Sequence, residues 1–195
     1  MGGVVDLHAH VVLADAFGTA GVYGPTHGID ADGREFFRVG DYTMKPIPYR
    51  GSVFMDVERR LVEMDRVGID RQMLSPNPLT YFHHIEADTA AEFCRWHNDK
   101  LAGVVAGHPD RFRGFAQLPM QEPVAAAEEL RRAVEGHGLV GGYIGTDFGI
   151  DFDDERLDVV WATAADLDVP MFVHPAPAGI DGPLRDERIR RFDLD

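Results

Sequence analysis

A chain of 195 residues, 45% hydrophobic and 27% charged, is long enough for one domain with a substantial core and is ordinary in make-up for a globular protein. Its formal charge of −14 argues against nucleic acid and anionic membrane as partners, because both demand a basic face. No run nears the ~18 apolar residues of a membrane span, the single Cys94 leaves no internal disulfide, and Met1-Gly2-Gly3 leads into a strand without a basic signal segment, so a cytoplasmic protein is expected.

The first strand spans Val4 to Val12 and carries His8 and His10 two residues apart. Strand alternation puts both imidazoles on one face and Leu7 and Ala9 on the other. Two imidazoles at the end of a buried strand are half of a ligand set for a divalent ion. The chain holds nine histidines, however, so an H-x-H pair needs a second histidine in a similar setting to carry weight. Residues 15 to 52 show no sustained period and are dense in Gly and Pro, with Tyr23, Phe36, Phe37, Tyr42 and Tyr49 among them. That reads as a long, ordered loop over about 13–52 on the active face.

Helical spacing follows at Phe54, Val57, Leu61, Met64 and Val67, ended by Gly68. Gln72-Met73-Leu74 reads as a second strand closing in the turn Ser75-Pro76-Asn77-Pro78, with His83 and His84 on the loop beyond it. A helix over 88–106, a strand from Phe112 to Leu118, a helix from Val124 to Val134, and a strand from Leu139 to Ile144 come next. A helix from Asp153 to Leu167, capped by Asp153 or Asp154, precedes the last strand, Val169 to Pro175, which carries His174. His27, His97, His108 and His137, in loop or helix settings, are expected to be solvated.

Five apolar strands alternating with four helices imply parallel β-α-β units. No glycine-rich phosphate loop follows the first strand, which weakens an open nucleotide-binding sheet. His8 and His10, Asn77, Asp147 and His174 all fall at or just after strand ends, where a barrel gathers its functional residues. The expected fold is therefore α/β, of the (β/α)8 TIM-barrel type, incomplete with about five β/α units in a single domain over residues 1–195.

Val5-Asp6-Leu7-His8-Ala9-His10, Met64-Asp65 with Gly68-Ile69, His97-Asn98-Asp99, Phe115-Ala116-Gln117-Leu118-Pro119 and Phe172-Val173-His174-Pro175 together resemble the amidohydrolase superfamily. The branch they look most like is that of the metal-dependent decarboxylases typified by aminocarboxymuconate-semialdehyde decarboxylase. The resemblance implies a (β/α)8 barrel and one divalent ion, zinc, held by His8, His10 and His174 together with a strand-eight aspartate. A strand-six histidine would be catalytic. Neither that histidine nor that aspartate has a counterpart before Asp195, so no catalytic residue is assigned. With Lys45 and Lys100 the only lysines, neither on strand four, a single-metal site is implied rather than a lysine-bridged pair. The family also holds its substrate carboxylate with an arginine in the first loop; Arg50 and Lys45 are the candidates here. Asn77 and His84 complete the expected substrate contacts.

The leading expectation is decarboxylation of a small unsaturated or aromatic carboxylate. The alternatives are hydrolysis of a lactone or amide at the same site, or an inactive fragment or binding module that retains part of the metal site. Five units of a barrel expose strand edges, so this chain alone is expected to self-associate or dissolve poorly and to lack turnover, and an intact protein to be a homo-oligomer.

Overall fold

A computed structural model describes residues 3–175. The first strand, β1 (Val5–Val11), runs into two short 3-10 turns, Ala14–Ala16 and Gly21–Tyr23. The segment expected as one long loop then forms an antiparallel meander of β2 (Thr26–Ile29), β3 (Glu35–Val39) and β4 (Tyr42–Met44). Its glycines mark the turns rather than an absence of structure. Gly33 and Gly40, at φ 76° and 53°, sit at the two reversals, where side chains with a Cβ are disfavoured.

Helix α1 (Val57–Val67) starts at Asp56, whose side chain accepts the Arg59 N–H at 2.9 Å, and ends at Gly68 in the left-handed conformation. Next come β5 (Arg71–Pro76), α2 (Ala87–Gly107), β6 (Phe112–Gly114) and β7 (Ala116–Gln117). Helix α3 (Pro123–Arg131) opens on a proline, which lacks a donor where none is needed, and runs on into a π-helical turn, Arg132–Gly136. Strand β8 (Gly142–Gly145), helix α4 (Asp158–Asp166) and strand β9 (Met171–His174) complete the described residues. Of the two expected caps near α4, Asp154 is the one used: its side chain accepts the Arg156 N–H of the 3-10 turn that leads into the helix.

The alternating strands are all parallel and lie side by side in sequence order: β1 with β5, β5 with β6, β7 with β8, and β8 with β9. β6 and β7 are one expected strand broken at Phe115. Before the break the chain bonds to β5, and after it Ala116 donates to the Gly141 carbonyl beside β8. This is the α/β arrangement of an incomplete TIM barrel, and the barrel does not close among the described residues. The segment from Arg185 to Phe192, expected to hold no sixth strand, lies outside them.

The outer face of the strands is the main core. Ala9, Val11, Leu74, Phe112, Ala116 and Ile144 pack against Met64, Leu101, Leu130 and Val160 from the four helices. Each such Leu or Phe contributes about 2 kcal/mol through burial. A second cluster, with Phe37 and Val39 of β3 against Val12, Tyr49, Leu79, Phe82 and Phe93, seats the meander on the strand ends. The inner face carries aromatics: Tyr143 of β8 and Phe115 are buried with Tyr81, and Phe172 of β9 packs on them. No described helix is long and apolar enough to cross a membrane.

Two histidines expected to be solvated are not. His97, on the inward side of α2, is 3% exposed, and the His27 side chain is fully covered, with Phe17 stacked on it at 5.5 Å. His108 and His137 remain partly open.

Candidate metal centre

His8 and His10 reach the inner face of β1, and His174 ends β9, across the open barrel from them. One ring nitrogen from each lies within 4.8 Å of the other two. The ring centroids are 4.6 Å apart for His8 and His10, 4.9 Å for His8 and His174, and 5.0 Å for His10 and His174. Sequence separation is bridged by topology: among the described residues β1 and β9 are the outermost of the parallel strands, in the sheets β1-β5-β6 and β7-β8-β9, and the histidines they carry meet.

Hydrogen bonds set the tautomers. His10 Nδ1 lies 3.0 Å from the Pro76 carbonyl and His174 Nδ1 lies 2.8 Å from the Pro175 carbonyl. A carbonyl only accepts, so each Nδ1 carries the proton and each Nε2 keeps its lone pair, the state a ligating imidazole requires. His8 Nε2 faces His10 Nε2 at 2.9 Å. Two nitrogens about 2.1 Å from one ion lie roughly 3.0–3.4 Å apart for right-angle to tetrahedral bonding, so the observed spacing is slightly short of that range and a small parting of the rings would admit a shared cation. Burial, reinforced by the neighbouring His8 and His174, pushes the His10 pKa down to about 4, which leaves the ring neutral at pH 7. Burial lowers His174 as well. The donor set therefore fits one divalent ion.

Around the histidines the wall is aromatic. Phe172 lies 5.4 Å from His8, and Tyr143 lies 6.1 Å from His10 and 5.6 Å from His174. Burial raises the Tyr143 phenol above its ordinary range, so it stays protonated. Beside His10 opens a cleft of about 350 Å³ lined by Tyr42 and Met44 of β4, Tyr49, Phe54, Asn77 and Leu79. In it Asn77 Nδ2 donates to the Tyr49 hydroxyl at 3.1 Å, while Asn77 Oδ1 accepts the Leu79 N–H at 2.9 Å.

Of the four expected substrate contacts, Asn77 alone shares this cleft with His10. Lys45 is paired with Asp30 at 3.4 Å, at the turn of the meander. Arg50 lies 3.4 Å from His27 Nδ1 and lines a separate surface depression with Arg59 and Glu63. His84 is half-buried beside Phe82, and burial lowers its pKa. Sequence reading missed Tyr42, Tyr49 and Tyr143, and it missed Arg60 of α1. Arg60 is 6% exposed and donates to the His10 carbonyl at 2.6 Å. A signal for it exists: Val57, Arg60, Leu61 and Met64 share one helical stripe, so a charge falls at a core-facing position.

A family model described as amidohydrolase matches residues 5–193. The gamma-resorcylate decarboxylase of Rhodococcus jostii is 40% identical over 126 residues, covering 60% of this chain and 38% of that protein. The 2-amino-3-carboxymuconate-6-semialdehyde decarboxylase of Dictyostelium discoideum is 29% identical over 183 residues, 88% of this chain and 48% of that protein. Among solved structures, the dihydroxybenzoic acid decarboxylase of Polaromonas sp. JS666, with bound manganese and the inhibitor 2-nitroresorcinol, superimposes with a TM-score of 0.71 at 30% identity, over 99% of this chain and 53% of that one. The chain thus spans about half the length or less of these relatives. The manganese corrects the expectation of zinc. Histidines at strand ends name a divalent site but do not choose between ions of similar preference, and the choice falls to remaining ligands and supply. With the strands in barrel order, three imidazoles gathered at their ends and a family match across nearly its whole length, the chain belongs to the amidohydrolase family.

Proposed function

We propose that this protein is a metal-dependent decarboxylase of small aromatic carboxylates, with His8, His10 and His174 holding one manganese ion. The observation that carries the reading is the meeting of three imidazoles, two held in the ligating tautomer, beside an aromatic-lined cleft. His8, His10 and His174 would hold a divalent ion there, and the chemistry it would supply is polarisation of a substrate oxygen. In the reaction a proton drawn from solvent joins the ring carbon, the electron pair of the bond to the carboxylate stays with the ring, and carbon dioxide leaves. Tyr42, Met44, Phe54 and Leu79 supply flat apolar walls for the ring and exclude water from it. The Asn77–Tyr49 pair gives the cleft a polar pole next to His10. A single buried Cys94 suits a reducing, cytoplasmic setting, and the edge that β1 leaves unpaired among the described residues suits assembly of an intact protein into homo-oligomers.

The test uses manganese and 2,6-dihydroxybenzoate, with binding followed by calorimetry and carbon dioxide trapped and counted. Expected are saturable binding of the acid that requires manganese, its loss in His10→Ala, and any turnover releasing one carbon dioxide per acid consumed. Binding that ignores manganese and survives His10→Ala contradicts the reading.

A further inference from the structure

The strand that carries His8 and His10 is not regular. Asp6 is paired with Gln72, yet Ala9 is paired with Leu74, so the stretch Leu7–His8 holds one residue more than the strand beside it. Such a bulge bends a strand and re-aims its side chains, and it leaves backbone groups without ladder partners. Here a polar chain brackets it. The His8 N–H donates to Asp6 Oδ1 at 3.1 Å, Gln72 Nε2 donates to Asp6 Oδ2 at 2.9 Å, and Arg60 Nη1 donates to Gln72 Oε1 at 3.0 Å. The other end of the same guanidinium, Nη2, donates to the His10 carbonyl at 2.6 Å. One buried arginine therefore grips the backbone of His10 directly and that of His8 through two side chains. Every member has one possible direction of donation, since arginine only donates and a carboxylate only accepts. The chain is thus fixed in orientation as well as position.

We propose that Arg60, acting through Gln72 and Asp6, is a positioning residue for the metal centre, clamping the bulged strand so that His8 Nε2 and His10 Nε2 face one ion. This rests on the reading of the histidines as ligands. Partners that orient metal-binding groups from behind typically change affinity by about 10- to 100-fold when removed.

The experiment titrates the protein with Mn²⁺ and follows the free-ion signal by electron paramagnetic resonance. Arg60→Met, Gln72→Met and Asp6→Asn are compared with Arg59→Met, a neighbouring exposed arginine that bonds the Gly51 carbonyl instead. Asp6→Asn keeps the shape but must turn a donor toward either Gln72 or the His8 N–H. Expected is Mn²⁺ affinity weakened about tenfold or more in the three chain variants and unchanged in Arg59→Met. In the metal-free protein, the ring ¹⁵N resonances of His8 and His10 shift in Gln72→Met and stay in place in Arg59→Met. If Arg60→Met does not fold, Gln72→Met and Asp6→Asn decide. Wild-type affinity and unshifted rings in those two overturn the proposal while leaving the metal reading intact. A wild-type protein that binds no Mn²⁺ overturns both.

Discussion

Two fully buried histidines with lowered pKa values, His83 and His97, give the residue scale a measurable consequence. Burial holds His83 and His97 at about 4, below the ordinary value of 6.5. The unfolded chain therefore takes up protons between pH 6.5 and 4 that the folded chain refuses. Stability is full above pH 6.5 and is lost as pH falls toward 4, by up to roughly 3 kcal/mol for each such histidine. Urea midpoints measured from pH 8 to pH 4.5 should fall steeply below 6.5, and His97→Gln should flatten that slope. A midpoint independent of pH across the window contradicts the burial argument. His8, His10 and His174 were legible in sequence because strand ends are marked by β-branched runs and prolines. His97 was not: it lies on a mixed helix, where only the tertiary fold decides which side faces in. Arg60 escaped for the opposite reason, since a charge is ordinarily assigned to solvent even when its helical position points inward.

At the scale of elements, β8 is the strand whose neighbours leave least room. A Cβ on Gly141 would sit 2.2 Å from the Pro170 carbonyl oxygen, and its φ is 156°. Backbone cannot yield there without separating β8 from β9, which carries His174. A Cβ on Gly142 would instead meet the Met171 sulfur at 2.7 Å, the far end of a flexible side chain. Gly141→Ala should cost more than about 4 kcal/mol or abolish folding, whereas Gly142→Ala should cost about 1–3 kcal/mol by overpacking. Chemical denaturation of both variants measures this, and equal costs contradict the geometry. Alternation of strands and helices was legible because each unit repeats an apolar run, an amphipathic helix and a glycine or proline stop. The meander was hidden because β2, β3 and β4 are short and their turns fill the segment with glycine. The break at Phe115 was hidden too, because both halves of the strand are apolar.

At the scale of the whole molecule, the strand order places the three histidines between the outermost of the described parallel strands. Among the described residues β1 pairs with β5 alone and β9 with β8 alone. Leu7 on β1 and Val4 just before it are 58% and 57% exposed, and His8 is exposed with them. The proposed ion site lies between these two strands, and the polar chain at β1 and the close glycine packing beside β9 would set how rigidly its ligands are held. Fold class was legible from the order of elements. The identity of the ion was not, because it is set by the ligand set as a whole and by supply rather than by any one histidine. The central claim is that His8, His10 and His174 form a single site for a divalent ion. A Mn²⁺ titration of the purified chain, read by the free-ion resonance, tests it most directly. The account predicts one ion per chain and affinity reduced at least about tenfold in each of His8→Ala, His10→Ala and His174→Ala. Unchanged stoichiometry and affinity in the His8→Ala/His10→Ala double variant would contradict it.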